Sequence, residues 1–199
     1  MSKAILFDFD GVIVNTFDFC YEINKSLGSG LTEAQYRDLF NGNINDHFKK
    51  EAPNKVEQKK GDGEFFKFYR PELMKLHPVP GMAKVIQEMA QHSKLFIVSS
   101  TDGNIIRDFL EREGLLACFI EVLGNDVDYS KVNKIKMILE NHKFLSDDCI
   151  FITDTLGDIR EAEKCGVKSI AVTWGYQPAE TLVQGNPLKI INKPEELIP

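Results

Sequence analysis

The stretch "ILFDFDGVIVNT", residues 5–16, sets two aspartates, Asp8 and Asp10, at the tail of an apolar run. Two like charges one residue apart at a buried strand end repel unless something else holds them. Phe9 lies between them, so an extended backbone turns both carboxylates to the same side. Gly11 follows at once and permits a sharp turn and a close backbone approach.

Outward from this stretch, other apolar runs of strand length follow: "KLFIVSS" (94–100), "CIFIT" (149–153), "KSIAVTW" (168–174) and a weaker "LKIIN" (188–192). The opening strand spans "AILFDF" (4–9). Runs apolar on both faces suit a parallel sheet covered by helices. Helical stretches separate them: "MAKVIQEMAQH" after Pro80-Gly81, "GNIIRDFLEREG" ending at Gly114, "KVNKIKMILENH", and "LGDIREAEKCG" ending at Gly166. The alternation predicts an α/β fold, a Rossmann-like open sheet of parallel strands.

Residues 15–79 break the rhythm. They hold no buried strand, and "TFDFCYEINKSLG", "LTEAQYRDLF" and "EFFKFYRPELMKL" have amphipathic helical spacing. The chain returns to the sheet through "HPVPGM", stiffened by Pro78 and Pro80. The expected organisation is a core of 1–14 and 80–199 with a small helical domain, 15–79, inserted after the first strand.

The bulk properties narrow the function classes. A chain of 199 residues suits one domain with a small insert. Its formal net charge of −6 argues against a nucleic-acid partner. No apolar stretch reaches the roughly 20 residues of a membrane helix, and "MSKAILFDF" lacks a signal peptide's long apolar core. Cys20, Cys118, Cys149 and Cys165 are scattered and form no C-x-x-C pair. Reduced thiols in the cytoplasm are the simplest expectation.

Ligands of open parallel sheets bind beyond the carboxyl ends of the strands. Asp8, Asp10 and Gly11 stand at one such end, Ser99, Ser100 and Thr101 at another, and Thr153, Asp154 and Thr155 at a third, with Asp158 one helix turn on. Lys131 and Lys134 open the helix before that third end. Crowded acids call for a cation, and an oxygen-rich set suits Mg²⁺, which keeps waters for a phosphate. Hydroxyls, backbone N–H groups and a lysine suit a phosphoryl group. In such a site one aspartate can attack phosphorus while the other protonates the leaving oxygen and then activates water.

"DFDGVIVNT", Ser99 after "LFIV", Lys131, and "TDTLGD" resemble the four ordered motifs of the haloacid dehalogenase superfamily. The nearest branch is the phosphoglycolate-phosphatase-like and β-phosphoglucomutase-like one. "VPGM" resembles that branch's return from its cap domain, "CGVKSIAVTWGY" its fifth-strand region, and "INKPEEL" its C-terminal strand and helix. The resemblance implies a C1-type helical cap at 15–79 and a Mg²⁺-dependent phosphatase acting on a small phosphorylated metabolite, as monomer or homodimer. It implies Asp8 as nucleophile and Mg²⁺ ligand, and Asp10 as general acid/base with its backbone carbonyl on the metal. Ser99 and the Ser100 backbone would bind the phosphoryl oxygens beside Gly11. Lys131, with Lys134 as alternative, would neutralise charge, Asp154 would hold Mg²⁺, and Asp158 would orient a metal water or the lysine.

Three positions depart from the family pattern. Thr153 stands where glycine is usual and is expected either to crowd the loop or to face away. Asn15 replaces a common aspartate, and Val132 replaces the proline after the motif lysine. A phosphomutase shares the whole catalytic set, but "NTFDFCYEI" lacks the histidine usual in that cap. A dehalogenase would lack Asp10, and a response-regulator receiver would carry its acid on the third strand. A non-catalytic phospho-ligand binder on the same fold is the alternative from another class. The segment "HFKKEAPNKVEQKKGDGEFFKFYR" (47–70) has a basic surplus, which suits a solvated helix face. The alternative is that Lys49 and Lys50 attract an anionic substrate. The resemblance implies that the loop "NGNIND" (41–46) touches the leaving group, which makes Asn43, Asn45 and the following His47 candidates for that contact. His77, His92 and His142 are expected at surface or hinge positions.

Overall fold

A computed structural model describes residues 4–44 and 55–198. Its frame is a six-stranded parallel sheet, β1 (Ala4–Phe7), β2 (Lys94–Val98), β3 (Phe119–Leu123), β4 (Cys149–Thr153), β5 (Lys168–Val172) and β6 (Lys189–Ile191). The spatial order is β3-β2-β1-β4-β5-β6. The chain builds outward from β1 on one side and then restarts at β4 on the other. That reversal opens a crevice beyond the carboxyl ends of β1 and β4, where open α/β sheets bind ligands.

The double-sided apolar pattern of β1 has a direct cause. Ala4 and Leu6 pack with Phe96, Val98, Ile135, Ile138 and Phe151 on one face. Ile5 and Phe7 pack on the other with Leu95, Ile97, Ile86, Ile106 and Phe109. Each side chain of Leu or Phe size removed from water contributes about 1.5–3 kcal/mol. The strand is shorter than the predicted 4–9 because the chain bends away after Phe7, with only the Asp8 amide still donating across to Ile152 O (2.9 Å). β2 and β5 likewise stop before the polar residues assigned to them.

Sequence reading missed β3. This edge strand leaves Ile120 half exposed and carries Glu121, so the apolar run is broken. Helices Met82–Met89, Gly103–Arg112, Lys131–His142 and Leu156–Glu163 cover the sheet where helices were expected. Gly114 stands in the left-handed region (φ +69°) just past the second of them, as a helix-ending residue should.

Between β1 and β2 the chain forms helices Phe17–Ser26, Glu33–Asp38 and Lys55–Leu73. The second has a capping box in which Gln35 N donates to Thr32 Oγ1 and Thr32 N donates to Gln35 Oε1. The third starts nine residues before the predicted 64, within a stretch whose Gly61 and Gly63 disfavour helix. Phe17, Cys20, Ile23, Tyr36, Tyr69 and Leu73 from these helices are buried in the same apolar cluster as Ile5 and Phe7. No helix among the described residues is long and apolar enough to cross a membrane.

Candidate active site

A cavity of about 480 Å³ opens over the crevice. Asp8, Asp10, Ser99, Ser100, Thr101, Lys131, Asp154 and Asp158 line it from the sheet side, and Tyr36, Phe40, Phe65, Phe66 and Tyr69 from the helices between β1 and β2. Four parts of the chain far apart in sequence meet here because β1, β2 and β4 are adjacent and end at one level.

Lys131, the first residue of helix Lys131–His142, is buried and donates from Nζ to Asp8 Oδ2 (2.7 Å) and to Asp158 Oδ2 (2.7 Å). The alternative lysine, Lys134, does neither. Its buried ammonium donates to the carbonyls of Ser99 (2.6 Å) and Gly124 (3.4 Å), at the ends of β2 and β3. Ser99 is itself tied down, since its Oγ accepts from Thr101 N (3.0 Å) and its N donates to Leu123 O (3.0 Å).

Thr153 neither crowds the loop nor faces away. Its hydroxyl donates to Asp158 Oδ2 (2.8 Å) and accepts from Thr155 N (3.3 Å). A side chain at this position therefore adds a second donor to the carboxylate that Lys131 already holds. The departure from the family pattern gives no reason to expect an inactive site.

Asp10 keeps different company. Thr16 Oγ1 (2.8 Å) and Tyr69 OH (2.6 Å) donate to its Oδ1, and Thr101 Oγ1 (2.7 Å) donates to Oδ2. Strand β1 ends before the pair, yet both carboxylates line the same cavity, as expected. Gly11 has φ +72°, and a Cβ built on it would lie 1.9 Å from Asp154 Oδ2. Only glycine allows that turn so close to a carboxylate.

Asp154 Oδ2 accepts from Tyr176 N (2.7 Å), while Oδ1 is buried with no hydrogen-bond partner among the described residues. An orphaned buried carboxylate oxygen is costly unless a cation or water takes it. Asp8, Asp154 and Asp158 each offer an oxygen, and the three atoms lie within 4.8 Å of one another. Burial pushes the Asp8 carboxyl well up despite Lys131, and pushes Asp154 up to about 7. Burial raises Asp158 too, but the Lys131 charge together with hydrogen bonds to Asp8, Lys131 and Thr153 holds this carboxyl below its usual range. The two carboxyls pushed up are those whose repulsion a bound cation would relieve. An oxygen-only donor set with one unpartnered oxygen thus fits a hard divalent ion such as Mg²⁺.

Some features escaped sequence reading. Tyr176 holds Asp154 through its backbone and shares a hydrogen bond with Thr16 (3.0 Å) through its hydroxyl. Tyr69 comes from a helix read only as amphipathic, and no local signal marks it. Of the expected leaving-group candidates, Asn43 lines the cavity and donates to Glu161 Oε1 (2.9 Å). Asn45, His47, Lys49 and Lys50 lie outside the described residues. His77 is exposed beside Glu113, and His142 meets Glu121 (2.8 Å), both away from the cavity.

Comparisons with known proteins agree with this geometry. The family model for haloacid dehalogenase-like hydrolases matches residues 5–172. Among curated proteins, a phosphoglycolate phosphatase of Synechococcus elongatus is 24% identical over 98% of this chain and 95% of its own length. One from Vibrio vulnificus is 26% identical over 93% of this chain and 90% of its own. Among solved structures, a haloacid dehalogenase-like hydrolase of Streptococcus pneumoniae superposes with a TM-score of 0.79 at 21% identity, covering 99% of this chain and 97% of that one. CbbY of Rhodobacter sphaeroides, solved in complex with phosphate, gives 0.77 at 18% identity, covering 100% and 97%. This chain belongs to the haloacid dehalogenase-like hydrolase family and is an enzyme of its phosphatase kind.

Proposed function

We propose that the enzyme hydrolyses a small phosphate monoester with the help of Mg²⁺, through an aspartyl-phosphate on Asp8. The observation that carries this reading is the Asp8 carboxylate itself, held at 2.7 Å by Lys131 on the cavity floor beside the unpartnered oxygen of Asp154. Asp8, Asp154 and the Asp10 carbonyl would hold the ion, with Asp158 beside them. Once bound, Mg²⁺ supplies charge neutralisation between the carboxylates and the phosphoryl oxygens.

In the first step an Asp8 oxygen bonds to phosphorus as the bond to the leaving oxygen breaks, and Asp10 gives its proton to that oxygen. In the second step Asp10 takes a proton from water as that water bonds to phosphorus. The bond to Asp8 then breaks and inorganic phosphate leaves. Ser99, the Ser100 amide and the turn at Gly11 orient the phosphoryl group. Lys131 offsets the negative charge that accumulates between Asp8 and phosphorus.

Residues 15–79 act in this reading as a cap on a core of 1–14 and 80–199. The rings they place over the cavity exclude water and face the leaving group. The test is hydrolysis of p-nitrophenyl phosphate with and without Mg²⁺, in the native chain and in Asp8→Asn. Activity that needs both the ion and the carboxylate supports the reading, and activity that survives without either overturns it. A panel comparing phosphoglycolate with sugar phosphates then identifies the leaving group.

A further inference from the structure

Asp10 receives three hydroxyl donors, and they come from different parts of the chain. Thr16 lies just after the motif turn and Thr101 in the loop after β2. Tyr69 comes from helix Lys55–Leu73, on the far wall of the cavity, and makes the shortest of the three contacts at 2.6 Å. A carboxylate has about four acceptor positions, so the three donors fix its plane and leave room for one more partner.

A buried tyrosine hydroxyl needs some partner, and Asp10 could be merely the one at hand. The surroundings of the ring argue otherwise. Tyr69 is 1% exposed and wedged among Phe19, Phe65 and Phe66, with ring centroids 5.3, 5.6 and 5.7 Å away. The end of its helix is clamped to helix Gly103–Arg112, which covers the sheet. Arg70 donates to Asp108 Oδ2 (2.5 Å), Arg112 donates to the carbonyls of Met74 and Leu76, and Leu73 is fully buried. The ring is therefore placed independently of Asp10, as a stiff arm with its hydroxyl at a set point.

We propose that Tyr69 is a positioning residue for Asp10. It aims the carboxyl at the leaving oxygen and ties that aim to the seating of the helical segment. This rests on the reading of Asp10 as the general acid/base. An aim lost by about 1 Å costs on the order of 100-fold in rate, and general acid help matters most when the leaving group is a poor one.

The test is Tyr69→Phe, which removes one oxygen and keeps the ring. Steady-state turnover is measured on p-nitrophenyl phosphate, a good leaving group, and on glycerol phosphate, a poor one. A thermal midpoint is taken for each protein. The expected result is a fall in kcat/KM, which reads only the steps up to departure of the leaving group, of about tenfold or more on glycerol phosphate and under about threefold on p-nitrophenyl phosphate. In an Asp10→Asn background the same change should cost nothing further. A para-aminophenylalanine at position 69 restores a donor and should recover most of the loss. It also keeps the idea testable where Tyr69→Phe proves unstable.

An equal fall in kcat/KM on both substrates, no fall, or a full additional loss in the Asp10→Asn background overturns the proposal. Absence of rescue by the amino analogue does so too. If Asp10→Asn alone leaves glycerol phosphate turnover intact, the assignment of Asp10 fails first, and the two failures are told apart.

Discussion

Asp8 and Asp10 stand two residues apart and live in opposite surroundings. Asp8 faces an ammonium shared with Asp158, next to the open oxygen of Asp154. Asp10 faces three hydroxyls and, among the described residues, no cation within hydrogen-bond reach. The ammonium opposes the burial that pushes the Asp8 carboxyl up, and a bound cation would add to it, which favours a charged carboxylate able to bond to phosphorus. Hydroxyls can donate to an ionised carboxylate or accept from a protonated carboxyl, so they tolerate a group that gains and loses a proton. The two roles come from the neighbours, since the side chains are identical.

The largest expected effect breaks the pair apart. Asp8→Asn should lower turnover by about 10⁴-fold or more on every phosphate monoester, since it removes the attacking oxygen. Asp10→Asn should lower kcat/KM by about 10²–10⁴-fold on alkyl phosphates and distinctly less on p-nitrophenyl phosphate. Equal sensitivity to the leaving group in both variants would erase the distinction.

Next in size is the ammonium. Lys131→Met should lower kcat by about 10²–10³-fold. It should also destabilise the protein by about 3–5 kcal/mol in the absence of Mg²⁺, because Asp8 and Asp158 lose their buried counter-charge. Urea unfolding with and without the ion checks this, and added Mg²⁺ should recover part of the lost stability.

Lys134 sharpens the contrast between paired and unpaired lysines. Burial, with Lys131 nearby, brings its ammonium down to about 7 from its ordinary 10.5. A lysine depressed in the fold binds its proton more weakly than in the unfolded chain. Its penalty is therefore full below about pH 7 and is relieved as pH rises from 7 towards 10.5. Lys134→Met should raise stability at pH 6 by about 1–3 kcal/mol and flatten the rise between pH 7 and 10. Unfolding midpoints at pH 6 and 9 read both effects. The smallest expected effect belongs to Thr153→Val, which removes one of the donors on Asp158. It should cost about 1 kcal/mol of stability and a few-fold in turnover.

Much of the site was legible because its residues sit at strand ends, and a strand end is visible wherever a buried run meets polar residues. Asp8, Ser99, Lys131, Asp154 and Asp158 all sit at such boundaries or on the helix turn beside one. The resemblance set Lys131 ahead of Lys134, but what separates the two lysines needed three dimensions, since helical spacing puts both on one face. Tyr69 and Tyr176 were hidden for a different reason. Tyr69 reaches them from a helix whose pattern only reports burial, and Tyr176 from an irregular bend after β5. β3 was hidden because an edge strand needs to bury only part of its surface, and Glu121 and Ile120 disguise it.

The central claim is that Asp8 carries the phosphoryl group between the two steps. The most direct measurement is to quench the Mg²⁺-loaded enzyme in acid during turnover, reduce it with borohydride and map the reduced side chain by peptide mass spectrometry. The account predicts reduction at position 8 that needs substrate and is absent in Asp8→Asn. Turnover proceeding with no acyl phosphate trapped at that position, or with one trapped at another aspartate, would contradict it.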